Sequence, residues 1–399
     1  MRPDGPIRVL LIDDAPLFAR AVAAELERCG GLHALCAPGE MGLLRSRLLH
    51  YHPEVIVLDL GLCALSPLTL LRKLRTHYPV PVIVVARGTD EGAARAAAAL
   101  QFGALEVVRR PDSLRASILG PFAADLAAQI RLAASFARPV PTVATAAAAP
   151  RSFRAAGLNP GQYLIAIGAS TGGTKAVETL LRHMPDDGPP IVVVQHMPSG
   201  FTRSFALRLN EYTAVAVSEA EDGEVLQPGQ AVVARGDTHL IVVAHTSASL
   251  CVKTGRRTHK QVCACHARPS GCSAQKVPDT FVSGWSVHYT HQAPVNRHCP
   301  SADVLFESVA KVVGKWAVGV LLTGMGDDGA RGLLALRRAG ALTIAQNKES
   351  CVVYGMPKVA VDLGAAQFTA APEEVASLTL QTLLERERAR ARAPVPRVP

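Results

Sequence analysis

Residues 163–184 read YLIAIGASTGGTKAVETLLRHM: an apolar run, a turn of small residues, then a stretch with helical periodicity. A strand that passes through a tight turn into a helix is the building unit of a parallel α/β sheet. Small residues at such a turn let the backbone bend sharply and approach a ligand closely. Gly168-Ala-Ser170-Thr-Gly172 also satisfies G-x-S-x-G, the letters of a nucleophile elbow. A phosphate cradle is the competing reading, but it calls for G-x-G-x-x-G or a Gly-Lys-Ser/Thr ending, and neither is present. The rest of the chain has to decide between them.

Moving outward, the same unit recurs. PIVVVQ (190–195) reads as a strand and GFTRSFALRLNEY (200–212) as a helix. WAVGVLLTG (316–324) and ALTIAQ (341–346) are strands around the helix ARGLLALRRAG (330–340). A serine nucleophile needs a base within reach, and the base needs an orienting carboxylate. His196 follows one of these strands, and Asp327 and Asp328 follow another. Each alone has a plain explanation: a loop histidine, or an acidic pair capping a helix. Together they set Ser, His and Asp on turns of one sheet edge. The small residues of GMGDDGA (324–330) leave backbone N–H groups able to face an oxyanion. The order Ser, His, Asp differs from the Ser, Asp, His order of α/β-hydrolases, which argues against that fold.

Residues 7–112 alternate in the same way, through IRVLLID, VIVLDL and VPVIVVA with helical stretches between them. Asp13, Asp14 and Asp59 fall at strand ends, which share one edge in a parallel sheet. Three carboxylates there repel each other unless a cation joins them, and Mg²⁺ favours a few carboxylates plus waters and phosphate oxygens. Separate solvated loop carboxylates are the other reading, and both stand at this point. The expected organisation is a first domain at 1–115, then a helix and Ala/Pro-rich linker at 116–160. A second α/β domain at 161–385 follows, then a disordered Arg/Pro tail at 386–399.

With 399 residues, 49% apolar and 19% charged, the chain has ample material for two globular cores. The net charge of +9 comes partly from the tail ERERARARAPVPRVP, and no basic helix or aromatic-basic interleaving points to nucleic acid. No apolar run approaches the roughly eighteen residues of a membrane span. Nine scattered cysteines and an N-terminus without signal-peptide layout suit a reducing cytoplasm. A monomer is expected.

Residues 7–112 resemble the response-regulator receiver domain. The second region resembles the catalytic domain of the chemotaxis protein-glutamate methylesterases (protein-glutamine glutaminases, CheB-type response regulators). IGASTGG, QHMPSGFTRSFALRLN, PVNRH, DVLFESVA and the long run LLTGMGDDGARGLLALRRAGALTIAQNKESCVVYGMPKVAVDLGA carry that resemblance. It implies a flavodoxin-like receiver followed by a mostly parallel α/β esterase domain. Ser170 is then the nucleophile, His196 the general base and acid, and Asp328 rather than Asp327 the orienting carboxylate. Backbone groups near Thr171 and Met325 form the oxyanion hole, and the esterase needs no cofactor.

For the first domain the resemblance implies Asp59 as phosphoacceptor, with Mg²⁺ at Asp13, Asp14 and Asp59. It implies methyl-accepting chemotaxis receptors as substrate and the chemotaxis histidine kinase as phosphodonor. It also implies that the unphosphorylated receiver limits access to the catalytic opening. Three departures stand out. Ala86 in VIVVARG replaces the usual Ser or Thr, Arg110 in VVRRP replaces Lys, and GLCALSP lacks the family's Met-Pro and Asp-Gly. Ala supplies no hydroxyl, and Arg keeps the charge without the compact ammonium geometry. Phosphorylation at Asp59 is therefore expected to be weak, or its response blunted.

Other classes are weaker. A receiver-fused regulatory module without chemistry, in a pathway other than chemotaxis, conflicts with the complete Ser, His and Asp set. A transcriptional regulator needs a helix-turn-helix output that is not seen. About 256–290 the resemblance fails. His259, Cys263, Cys265, His266 and Cys272 lie there, but C-x-C-H is not a standard zinc spacing, so the stretch reads as a surface insertion near the substrate face.

Overall fold

Apolar runs without polar alternation become strands buried on both faces, as a helix-covered parallel sheet requires. In the computed structural model, which describes residues 5–39, 41–63, 66–78, 80–135, 152–244 and 284–392, two such sheets form. The first contains β1 (Ile7–Ile12), β2 (Leu32–Ala37), β3 (Val55–Asp59), β4 (Val82–Ala86) and β5 (Glu106–Arg109). All pair in parallel, in the order β2-β1-β3-β4-β5. Its helices are α1 (Pro16–Arg28), α2 (Met41–Tyr51), α3 (Pro67–His77), α4 (Asp90–Gln101) and α5 (Ala116–Ser135). Apolar residues of α1 and α5 cluster on one face, and those of α2, α3 and α4 on the other. This is the flavodoxin-like arrangement, whose strand order reverses between β1 and β3. Asp13 and Asp59 flank that point.

The second sheet is seven-stranded and parallel, in the order β14-β13-β12-β6-β7-β9-β8. Its strands are β6 (Leu164–Ala169), β7 (Ile191–Gln195), β8 (Ala216–Glu219), β9 (Gln230–Val233), β12 (Ala317–Leu321), β13 (Leu342–Gln346) and β14 (Phe368–Ala370). A separate antiparallel pair, β10 (His239–Ala244) with β11 (Trp285–Thr290), packs beside it. The helices are α6 (Gly173–Arg182), α7 (Phe201–Tyr212), α8 (Ala302–Val312), α9 (Ala330–Arg338), α10 (Met356–Asp362) and α11 (Val375–Arg392). From β6 the chain builds outward through β7, then returns to build the other side from β12. The crevice between β6 and β12 is therefore the switch point, where open α/β sheets bind ligands.

Four boundaries differ from the sequence expectation. Helix α5, read as part of the connecting segment, buries Phe122, Leu126 and Ile130 against the first sheet. Its apolar residues run round most of the helix, which hides which sheet it serves. The end of the expected linker belongs to the second domain: Phe153 is fully buried, and Asp187 accepts hydrogen bonds from the N–H of Phe153 and Arg154, both at 3.0 Å. Residues 285–290 of the expected insertion are a paired strand, with Val287 buried. Residues 386–392 continue α11 rather than a disordered tail. Linker residues 136–151, the Cys/His stretch 259–272 and residues 393–399 lie outside the described residues. No described helix is long and apolar enough to cross a membrane.

Candidate active site

Ser170 directly follows β6. Its backbone N–H donates to Thr323 O at 3.0 Å, and its carbonyl accepts from Gln195 Nε2 at 2.9 Å and from Gly173 N–H at 2.7 Å. The buried Thr323 hydroxyl donates to Thr171 O at 3.0 Å and accepts from Val353 N–H at 2.8 Å. The turn after β6 and the turn after β12 are thus laced together from beneath. Gly324 has to be glycine, because a Cβ there would stand 2.6 Å from Ser170 Cβ. Gly172, at φ 76°, occupies the left-handed region that glycine adopts freely, and starts α6. Ser170 consequently sits before a helix N-terminus, where the backbone dipole favours negative charge. Its own N–H is committed to Thr323. Among the described residues, the N–H groups of Thr171 and Met325 are not committed in that way.

His196 directly follows β7, and its Nε2 lies 2.8 Å from Asp328 Oδ2. Asp328 is fully buried at the N-terminus of α8. Its Oδ1 accepts from the Ser301 hydroxyl at 2.6 Å and from Asn296 Nδ2 at 2.9 Å. Its Oδ2 accepts from Ala302 N–H at 2.7 Å. Burial opposes ionisation, but the His196 hydrogen bond and charge, with those of Ser301 and Asn296, outweigh it and hold the carboxyl well below the usual carboxylate range. An ionised Asp328 accepts from Nε2–H. That leaves Nδ1 of His196 as the bare nitrogen, buried and without a hydrogen-bond partner among the described residues. Asp327 is exposed and makes no such contact.

The loop 295–301 supplies residues the sequence reading did not assign. Asn296 and Ser301 hold Asp328. The His298 ring stacks on His196, with centroids 3.8 Å apart and planes 12° from parallel. PVNRH was legible only as a matching stretch. A histidine and an asparagine just ahead of a serine N-cap was the available signal.

The first domain reaches the same turn. Thr171, the residue after Ser170, sets its hydroxyl 3.4 Å from Gln129 Oε1 of α5 and hydrogen-bonds the Glu106 side chain of β5. Burial pushes the Glu106 carboxyl up to about 7, against smaller lowering by hydrogen bonds from Val107 and Thr171. Farther along the seam, Arg208 of α7 donates to Ala97 O of α4 at 2.9 Å and to Glu178 Oε2 at 2.6 Å.

At the first sheet's edge the expected carboxylates do not form a cation cage. The Arg110 guanidinium lies 3.0 Å from Asp13 Oδ2, contacts Asp59 Oδ2, and stacks 3.8 Å from the centre of the Phe18 ring. Asp14 turns to other loops, accepting from Gly39 N–H and Cys63 N–H, each at 2.8 Å. Burial raises the Asp13 carboxyl, with lowering by the Ala15 N–H bond and Arg110. Among the described residues no group of three His, Cys, Asp or Glu side chains is arranged to hold a metal. Arg110 thus joins two of the three carboxylates that the resemblance assigns to Mg²⁺, and the third, Asp14, is turned toward neighbouring loops. Ala86 is buried and offers no hydroxyl there.

The model of the family described as CheB methylesterase matches residues 165–379. The chain is 38% identical over 361 residues to a protein-glutamate methylesterase/protein-glutamine glutaminase of Photorhabdus laumondii, covering 90% of this chain and 92% of that one. It is 38% identical over 359 residues to the protein of that name from Salmonella typhimurium, covering 90% and 91%. Among solved structures, the CheB methylesterase catalytic domain of Thermotoga maritima is 30% identical, covers 55% of this chain and 98% of its own, and has a TM-score of 0.44. The response regulator domain of Thermotoga maritima CheB is 24% identical, covers 33% and 97%, and has a TM-score of 0.30.

Proposed function

This chain belongs to the CheB methylesterase family, and on that premise we propose that Ser170, His196 and Asp328 hydrolyse glutamate γ-methyl esters on methyl-accepting chemotaxis receptors. The family gives the enzyme class, a receiver-linked carboxylic ester hydrolase. The geometry supports the residue roles. His196 Nδ1 takes the Ser170 Oγ proton as Oγ bonds to the ester carbonyl carbon. The carbonyl oxygen becomes an oxyanion facing the N–H groups of Thr171 and Met325, at the positive end of α6. As the tetrahedral centre collapses, the imidazolium returns its proton to the departing methoxy oxygen, and methanol leaves. Water then attacks the acyl-enzyme by the same proton route, releasing glutamate and Ser170. A receptor glutamine enters the same cycle with ammonia as leaving group.

The observation that carries this reading is the His196–Asp328 pair, whose second ring nitrogen is buried without a hydrogen-bond partner among the described residues. Methanol release from methylated receptor membranes tests it. Ser170→Ala should lower turnover by about four orders of magnitude or more. Release at the wild-type rate in that variant contradicts the assignment.

Asp59 is the receiver position that corresponds to a phosphoacceptor. Arg110 favours weak phosphoryl transfer there, since the guanidinium joins Asp59 to Asp13. Cytoplasmic action follows from receptor tails as substrate.

A further inference from the structure

We infer that His298 is a positioning residue for the esterase: its ring is a flat plate that fixes the plane of His196 and thereby aims Nδ1. This rests on the Ser170, His196 and Asp328 reading above and deepens it.

His196 is tethered at one ring atom, Nε2, by Asp328. One hydrogen bond fixes a direction but leaves the ring free to rock about it. The second constraint is the stack, 3.8 Å between centroids and 12° between planes, which is full van der Waals contact of two flat faces. The loop that delivers His298 is held in an unusual shape. Asn296 and Arg297 stand in succession at φ 51° and 66°, a region that non-glycine residues seldom adopt. Val295 and His298 close the loop with reciprocal backbone hydrogen bonds at 3.1 and 2.8 Å. Such strain persists where the surroundings over-determine it, and it clusters at functional sites. Here it places the Asn296 amide on Asp328 and the His298 ring on His196 at once.

The plate also suits the charge that appears during turnover. A neutral imidazole face tolerates an adjacent imidazolium, whereas a charged one repels it. The charged or titratable groups facing His298 are His196, Asp328, Arg297 and Asp327. Burial first, then the His196 charge, pushes His298 down to about 4, which favours the neutral ring near neutral pH.

The test compares His298→Ala with His298→Phe in the full-length chain. Phenylalanine keeps a flat ring and loses both nitrogens. Two readouts are taken: kcat and KM for methanol release, and the rate at which a fluorophosphonate labels Ser170. His298→Ala should lower kcat and the labelling rate together by about 10- to 100-fold, the effect of a misaimed base. KM should stay within about twofold, and His298→Phe should recover most of both rates. Wild-type rates in His298→Ala overturn the proposal. So does a folded His298→Phe, shown by its near-UV circular dichroism, that is as slow as His298→Ala, because the nitrogens rather than the plate would then matter. Absence of Ser170 labelling in the wild-type protein would instead remove the underlying triad reading.

Discussion

Each of the two parallel sheets gathers buried carboxylates at its C-terminal edge, and the two sites differ in the cation they meet. In the receiver, Asp13 and Asp59 meet the guanidinium of Arg110. In the esterase domain, Asp328 meets the imidazole of His196, whose Nε2 lies 2.8 Å from its Oδ2. The first pairing fills its site with a guanidinium. The second leaves the other ring nitrogen of His196 without a hydrogen-bond partner among the described residues. A strand-end carboxylate therefore says little about chemistry until its counter-charge is known.

The largest expected effect lies at Asp328. All its neighbours donate hydrogen bonds, so Asp328→Asn sets an amide N–H₂ against donors and favours the wrong tautomer of His196. Turnover should fall by about four orders of magnitude. Asp327→Asn should leave it near wild type, and the opposite ranking in methanol release would mean the wrong carboxylate has been chosen. The receiver sharpens the comparison next. Restoring a compact ammonium and a hydroxyl with Arg110→Lys and Ala86→Thr should raise labelling of Asp59 by a small phosphodonor in Mg²⁺ about tenfold or more, by freeing the carboxylates for a divalent ion. Equal labelling of variant and wild type would show that Arg110 does not obstruct the site.

The smallest effect lies at the seam. Burial at the seam lifts Glu106 from 4.5 to about 7, against a smaller lowering by the hydrogen bonds from Val107 and Thr171. A raised acid favours the docked state fully below its undocked value, and that contribution is lost as pH rises through about 7. Docking should loosen between about pH 5 and pH 8. Glu106→Gln stays neutral throughout, so its gain in rate from pH 6 to pH 8 should be about twofold smaller than that of the wild type. Identical pH profiles would mean that Glu106 does not couple the domains.

Ser170, His196 and Asp328 could be nominated from sequence because each lies in a turn after a strand, and strand, turn and helix are written in local periodicity; the choice of Asp328 over Asp327 came from the resemblance. Asn296 and His298 could not, because they come from a loop whose targets, Asp328 and His196, are distant in sequence and are brought together with it only by folding. Arg110 was legible as a substitution, but its placement between Asp13 and Asp59 depends on how β5 lies against β4 and on Phe18 beneath the guanidinium. The two parallel sheets followed from alternating apolar runs, and the flavodoxin-like order from the receiver resemblance. The place of α5 did not, since an alanine-rich helix with apolar residues on most sides does not say which sheet it covers.

One measurement bears most directly on the contrast between the two sites: methanol release from methylated receptor membranes, with and without a small phosphodonor and Mg²⁺, with Ser170→Ala alongside. The account predicts release that requires Ser170 and is scarcely changed by the phosphodonor. Release accelerated severalfold by the phosphodonor would show that Arg110 yields its place at Asp59, and release that survives Ser170→Ala would contradict the esterase site itself.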